Sequence, residues 1–213
     1  MEAKLKLKLK LKQEQVLPAR LEAVGVCSPV VAPVSFSVVA GQCLSVSGRS
    51  GAGKTRLLRL VADLDEGGGD VMLDGVSRSG FSAPAWRRQV LYQSAEPAWW
   101  RPSVAAHFEP EELELATQLA DRLALPAGRL EADISQLSTG ERQRAALIRS
   151  LAKRPKALLL DEPTSALDAD NARRVEALLL DCMNDGLALV LVTHSQEQAA
   201  RLAGSAILIE PRR

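Results

Sequence analysis

Gly48-Arg49-Ser50-Gly51-Ala52-Gly53-Lys54-Thr55 decides how this chain is read. The stretch fits G-x-x-x-x-G-K-[ST], the pattern of a phosphate-binding loop. Its glycines let successive backbone N–H groups turn inward around phosphate oxygens. The residues on either side make that reading specific. Residues 43–47 are a short apolar strand, and Leu57, Leu58 and Val61 recur at helical spacing over residues 55–62. A helix that starts at the loop points its partial positive charge at the same anion. Lys54 is then placed to neutralise the β- and γ-phosphates of a nucleotide, and Thr55 to ligate Mg²⁺.

Downstream, Leu158-Leu159-Leu160-Asp161-Glu162 ends a continuous apolar run in two carboxylates. Such a run reads as a strand buried in a parallel sheet, and α/β sheets collect ligands at the carboxyl ends of their strands. Asp161 can hold Mg²⁺, and Glu162 beside it can take a proton from an attacking water. Two neighbouring carboxylates at a sheet rim are costly unless cations balance them, and Mg²⁺ and Lys54 supply that balance. Two other predicted strands also end in polar groups, residues 90–92 in Gln93 and residues 188–193 in His194. Gly48, Gln93, Asp161 with Glu162, and His194 therefore converge on one rim. Gln93 and His194 are candidate catalytic residues with Glu162, and Gln93 is a candidate metal ligand with Thr55 and Asp161.

A third element is Leu137-Ser138-Thr139-Gly140-Glu141-Arg142-Gln143-Arg144. Ser138 with Glu141 three residues on is a capping box at the start of a helix over residues 140–153. That helix start is also an anion site. One chain has one phosphate-binding loop, so a second anion-ready helix needs its own explanation.

The remaining pattern fixes the fold class. Strands are predicted at residues 20–26 and 34–39, and a hairpin follows residues 71–73 at Asp74-Gly75. Helices are predicted at residues 111–123, 172–184 and 196–203, and a last strand at residues 206–209. Alternating strands and helices imply a parallel sheet covered on both faces. Residues 94–154 read as a small, mostly helical lobe within a single domain at residues 16–213.

Composition sets limits on what the chain does. Of 213 residues, 46% are hydrophobic and 25% charged, ordinary for a globular protein with a buried core. The net charge of +1 gives no electrostatic footprint for nucleic acid, so none is expected as a partner. Cys27, Cys43 and Cys182 have no metal-ligand spacing and read as small buried hydrophobes in a reducing compartment. No run reaches the length of a membrane span, and no apolar segment follows the basic start as in a signal peptide. Residues 1–15 form an extension in which Lys and Leu alternate from Lys4 to Lys12, and they read as a frayed tail or a continuation of the first strand, the alternative being a contact for a partner or anionic lipid.

Taken together, these residues resemble the ATP-binding-cassette (ABC) family. The likeness runs from about Arg20 onward and covers six elements in the family's order. They are the P-loop at residues 48–55, a Gln loop at Gln93, a signature at residues 137–141, the acidic strand at residues 158–162, a D-loop Ser165-Ala166-Leu167-Asp168, and a His switch at His194. The resemblance implies a P-loop NTPase fold of the ABC type, mostly a parallel sheet with flanking helices, an N-terminal antiparallel β part and a small helical lobe. It implies an ATPase using ATP and Mg²⁺. It also explains the second anion site: two copies pair head to tail, and Ser138 and Gly140 of one contact the γ-phosphate held by the other. Asp168 then lines the dimer interface, His194 touches the γ-phosphate, and Gln93 links the metal site to a partner's movement. The implied setting is the ATP-binding subunit of a bacterial transporter, peripheral on the cytoplasmic face of the inner membrane and driving a separate polytopic permease. Residues 90–97 and 140–149 resemble the iron-export type. Trp99-Trp100-Arg101 lies where such subunits dock their permease. The alternatives are a soluble ABC-type ATPase uncoupled from transport, and a cassette that binds ATP with little turnover.

Three departures from the family pattern matter. Thr139 stands where the signature has glycine, and would weaken closure if that position needs φ > 0. Glu141 replaces Gln and, as a capping carboxylate, turns back from the phosphate. The aromatic that stacks on adenine ahead of the P-loop has no counterpart in Val24-Gly25-Val26-Cys27.

Overall fold

Strand β3 (Cys43–Ser47) runs into the glycine-rich loop and helix α1 (Lys54–Val61), as the sequence predicts. The computed structural model describes residues 18–210. The Lys/Leu run at residues 4–12 lies outside the described residues. β3 belongs to a five-stranded parallel sheet in the order β6-β7-β8-β3-β9, with β6 at Val90–Gln93, β7 at Ala157–Asp161, β8 at Ala188–Val192 and β9 at Ser205–Leu208. Every residue of β7 and β8 is buried, which is why both read as unbroken apolar runs.

An antiparallel sheet packs beside it. Its order is β2-β1-β4-β5, with β1 at Ala19–Ser28, β2 at Val31–Val39, β4 at Gly68–Leu73 and β5 at Val76–Ser77. The predicted hairpin is the β4–β5 turn, where Asp74 and Gly75 both take positive φ.

Strand alternation divides the interior in two. Leu158, Leu160, Leu189 and Leu191 face a core built with helices α3 (Pro110–Arg122), α4 (Thr139–Ala152) and α5 (Ala169–Asn184). Leu159, Val190, Val192 and Val46 face α1 and the antiparallel sheet. Successive strand residues point to opposite faces, so a one-residue shift exchanges the two cores. The stretch at residues 94–154 shares the first core: Val104, Phe108 and Leu123 pack in one cluster with Leu158 and Leu189.

Local chemistry explains the differences from the predicted elements. α5 starts at Ala169 rather than residue 172, because Asp168 Oδ1 accepts from Asn171 N at 2.8 Å and caps the helix there. Helix α2 (Ala83–Gln89) was absent from the sequence reading, although Ser82 caps it and Pro84 stands in its first turn. Its Trp86 is fully buried and donates from Nε1 to Val61 O at 3.0 Å. The last helix, α6 (Gln196–Leu202), is tied to α5 where Arg201 Nε donates to Glu176 Oε2 at 2.7 Å. Of the cysteines, only Cys43 is buried, and burial pushes its thiol up to about 12; Cys27 and Cys182 are half-buried.

Candidate functional site

The loop between β3 and α1 requires its glycines. Gly48 has φ +152°, and a Cβ there would lie 2.4 Å from Ile209 O, just beyond β9. Gly53 has φ +95°, and a Cβ there would meet Val31 Cγ2 at 2.8 Å. Lys54, the first residue of α1, curls back so that Nζ donates to Gly48 O at 2.8 Å and to Arg49 O at 3.3 Å. Thr55 Oγ1 donates to Asp161 Oδ2 at 2.6 Å.

The loop, Asp161, Glu162 and His194 line one open cleft of about 530 Å³. Ser50, Gly51, Ala52, Gly53, Lys54 and Thr55 form one wall, and the ends of β7 and β8 form the other. Glu162 follows β7 with φ +48°, a left-handed conformation that costs a non-glycine residue about 1–3 kcal/mol. The twist is held by Glu162 N donating to Val192 O at 2.9 Å. It turns the carboxylate toward His194, whose backbone N lies 3.3 Å from Glu162 Oε2. His194 Nε2 lies 3.4 Å from Oε1, and its side chain is largely exposed to the cleft.

Gln93 is placed differently from the sequence expectation. Residues paired in a parallel ladder share a face, and Gln93 pairs with Leu160 while Tyr92 pairs with Leu159. Gln93 therefore points to the α4 face, where its Oε1 accepts from Ser150 Oγ at 2.9 Å. It does not line the cleft. Tyr92 takes the opposite direction, toward the α1-side core, with its hydroxyl 3.4 Å from Asp161 Oδ2. Burial, aided by the Asp161 charge, pushes the phenol up to about 12, so it stays a neutral donor. The pairing register, which the sequence does not state, is what separates these two side chains.

The cleft also contains a group that the sequence reading passed over. Arg59 Nε and Nη2 each donate to Asp65 at 2.8 Å, and Arg56 Nη1 lies 3.0 Å from the same carboxylate. The Arg59 hydrogen bond leads in holding Asp65 below the usual carboxylate range. Arg59 and Asp65 flank the end of α1, and no motif marks them.

Ser138, Gly140 and Glu141 sit at the start of α4, apart from the phosphate loop. The capping box is present in both directions, Glu141 N to Ser138 Oγ at 3.2 Å and Ser138 N to Glu141 Oε2 at 2.8 Å. The Ser138 N–H, and then Arg129 Nε at 3.0 Å, hold the Glu141 carboxyl low and turned inward. Thr139 is the first helical residue. It is not among the described non-glycine residues with positive φ, so the strain raised for this position does not arise. Gly140 permits close packing instead: a Cβ there would stand 3.1 Å from Ala166 O. No aromatic of β1 faces the loop; beside Gly53 the β1–β2 turn presents an exposed Val30.

A family model described as ABC transporter matches residues 31–165. The taurine import ATP-binding protein of Yersinia pestis is 37% identical over 194 residues, 86% of this chain and 74% of that protein. An aliphatic sulfonates import ATP-binding protein of Agrobacterium fabrum is 38% identical over 189 residues, 85% of this chain and 70% of that one. Among solved structures, a dimeric ATP-binding cassette in a post-hydrolysis state with ADP and Pi superposes with a TM-score of 0.76 at 22% identity, covering 89% of this chain and 94% of its own. Both relatives carry import in their names. On the family match and these identities, the chain belongs to the ABC transporter family, as an ATP-binding and ATP-hydrolysing subunit.

Proposed function

We propose that this chain closes head to tail with a second copy of itself around two ATP molecules, and that this closure drives a separate polytopic permease in a bacterial inner membrane. The observation that carries the reading is the separation of two anion-ready helix starts. Lys54 begins one and Ser138 caps the other, and they line different surfaces of the chain. A second copy brings its Ser138 and Gly140 to the phosphates held by residues 48–55. Among the described residues no helix is long and apolar enough to cross a membrane, in keeping with a peripheral subunit whose permease is another chain.

The residues of the cleft suit Mg²⁺ as well as ATP. Thr55 Oγ1 and Asp161 Oδ2 are hard oxygen donors already within 2.6 Å of each other. They would hold Mg²⁺, which when bound offsets phosphate charge. Lys54 binds the β- and γ-phosphates, and the turn of residues 49–53, in which the Ala52 N–H donates to Arg49 O at 3.1 Å, forms the cradle. Glu162 takes the proton of the attacking water, and His194 orients the γ-phosphate from the far wall. Gln93 is held by Ser150 on the α4 face and would reach the metal site only on release from that bond, which would tie the contact to movement of α4.

The permease is proposed to contact Trp100. This ring is 68% exposed and is stacked under the Arg149 guanidinium at 4.8 Å, with Trp99 at 4.3 Å from the same group. An exposed aromatic held rigid by a cation suits an interface anchor. Import, the direction in both relatives' names, is the direction proposed here. Affinity purification of the full chain from membranes tests the reading. Recovery of a polytopic membrane protein, lost in Trp100→Ala, supports it; a membrane-free chain with full ATPase activity and no such partner overturns it.

A further inference from the structure

Gln143 stands on α4 two residues past the signature, is buried, and engages both the nitrogen and the oxygen of its side-chain amide. Nε2 donates to Glu162 O at 2.8 Å and to Ser165 Oγ at 3.1 Å, and Oε1 accepts from Ala166 N at 3.0 Å. Ser165 Oγ in turn donates to Glu162 O at 3.2 Å. The amide thus spans the whole turn from the proposed general base to the D-loop. Gly140, three residues earlier on the same helix, presses on the same turn at Ala166 O and Leu167 Cδ2. Glu162 needs such support, because its positive φ persists only where surrounding bonds determine it.

We propose that Gln143 is a positioning residue that makes the signature helix and the Glu162 turn move as one body. In a head-to-tail pair, Ser138 of a chain touches the partner's ATP while Glu162 of that chain acts on its own. Through Gln143, seating of Ser138 on one nucleotide sets the Glu162 backbone at the other. The two hydrolysis sites are therefore coupled through each chain's own α4. This inference rests on the dimer and general-base roles proposed above.

The test is steady-state ATP hydrolysis by the full chain in wild type, Gln143→Glu, Gln143→Met and Glu162→Gln. Gln143→Glu keeps the acceptor for Ala166 N but sets a carboxylate against Glu162 O; Gln143→Met keeps the bulk and loses every bond. Both should show kcat on the order of tenfold to a hundredfold lower, the scale of displacing a catalytic group by up to about 1 Å. KM for ATP should be unchanged and the Hill coefficient should fall toward one. Wild-type kcat and Hill coefficient in both Gln143 variants would overturn the proposal. So would a kcat loss matched by an equal loss in the fraction of chains that bind ATP, because that marks a merely structural role. If Glu162→Gln hydrolyses ATP at the wild-type rate, the general-base reading falls and this inference falls with it. If Glu162→Gln is inactive and the Gln143 variants behave as wild type, only the coupling role falls.

Discussion

Thr55 and Asp161, 106 residues apart in sequence, meet at 2.6 Å and fasten the first turn of α1 to the end of β7. The hydroxyl points to the one carboxylate oxygen that Tyr92 also approaches. Thr55→Val preserves the shape of the side chain and removes only the hydroxyl. We expect ATP binding in the presence of Mg²⁺ to weaken by on the order of tenfold, the scale of a charge-assisted bond. Binding with excess chelator should change little. Titration of a fluorescent ATP analogue with and without Mg²⁺ separates the two.

Glu162→Gln replaces the proposed base with a neutral isostere. Hydrolysis should fall by roughly 10²–10⁴-fold, the usual contribution of general-base catalysis. ATP should still bind and should hold two chains together, seen as an ATP-dependent doubling of mass in light scattering. Lys54→Ala should bind no ATP and stay monomeric under the same conditions. Wild-type turnover in the first variant, or unchanged affinity in the second, assigns those roles elsewhere.

Thr139→Gly restores the family's usual signature residue. Since Thr139 is helical with no positive φ, the change relieves no strain. It adds backbone freedom in the first turn of α4, and the chain should lose up to about 1 kcal/mol of stability. ATPase activity should not rise. A several-fold gain in turnover would show that the threonine methyl obstructs closure in the dimer.

His107 gives the Trp loop a pH limit. Its Nε2 accepts from the backbone N–H groups of Trp100 and Arg101 at 3.3 and 3.2 Å, a role only the uncharged ring can fill. Burial first, and then the Arg149 and Arg101 charges, lower its pKa below the ordinary 6.5, while the Ser103 carbonyl opposes them. A group depressed on folding adds stability that is complete above its unfolded value and is lost as pH falls through the folded value. As pH falls below the ordinary 6.5 and on through the lowered folded value, thermal stability should drop and tryptophan fluorescence should shift. His107→Gln, which retains an acceptor, should flatten both changes.

Much of this was legible before any coordinates. The buried strands β7 and β8 declared themselves because both of their faces are covered, so no polar alternation interrupts them. The loop at residues 48–55 was legible because backbone geometry constrains its composition. Side-chain direction was harder to read. Gln93 looked like a rim residue, but its ladder position opposite Leu160 sends it to Ser150. Gln143 lay in plain sight within the signature stretch, yet its partners are main-chain groups of a distant turn, which no spacing announces. Helix α2 was missed because Pro84 and two arginines obscure an amphipathic pattern resting on the single buried Trp86.

The place of β3 in its sheet has a consequence for how the chain is made. β3 carries the phosphate loop, yet its two neighbours are β8 and β9, the last strands of the described residues. Gly48 moreover rests against Ile209. The antiparallel sheet can assemble from residues 19–77, whereas β3 waits for partners at residues 188–192 and 205–208, which leave the ribosome much later. Domains gain their long-range pairings late in this way, and an unpaired apolar strand is exposed meanwhile. A product that stops ahead of β8 therefore carries the full loop sequence but lacks both strands that hold β3 in its sheet.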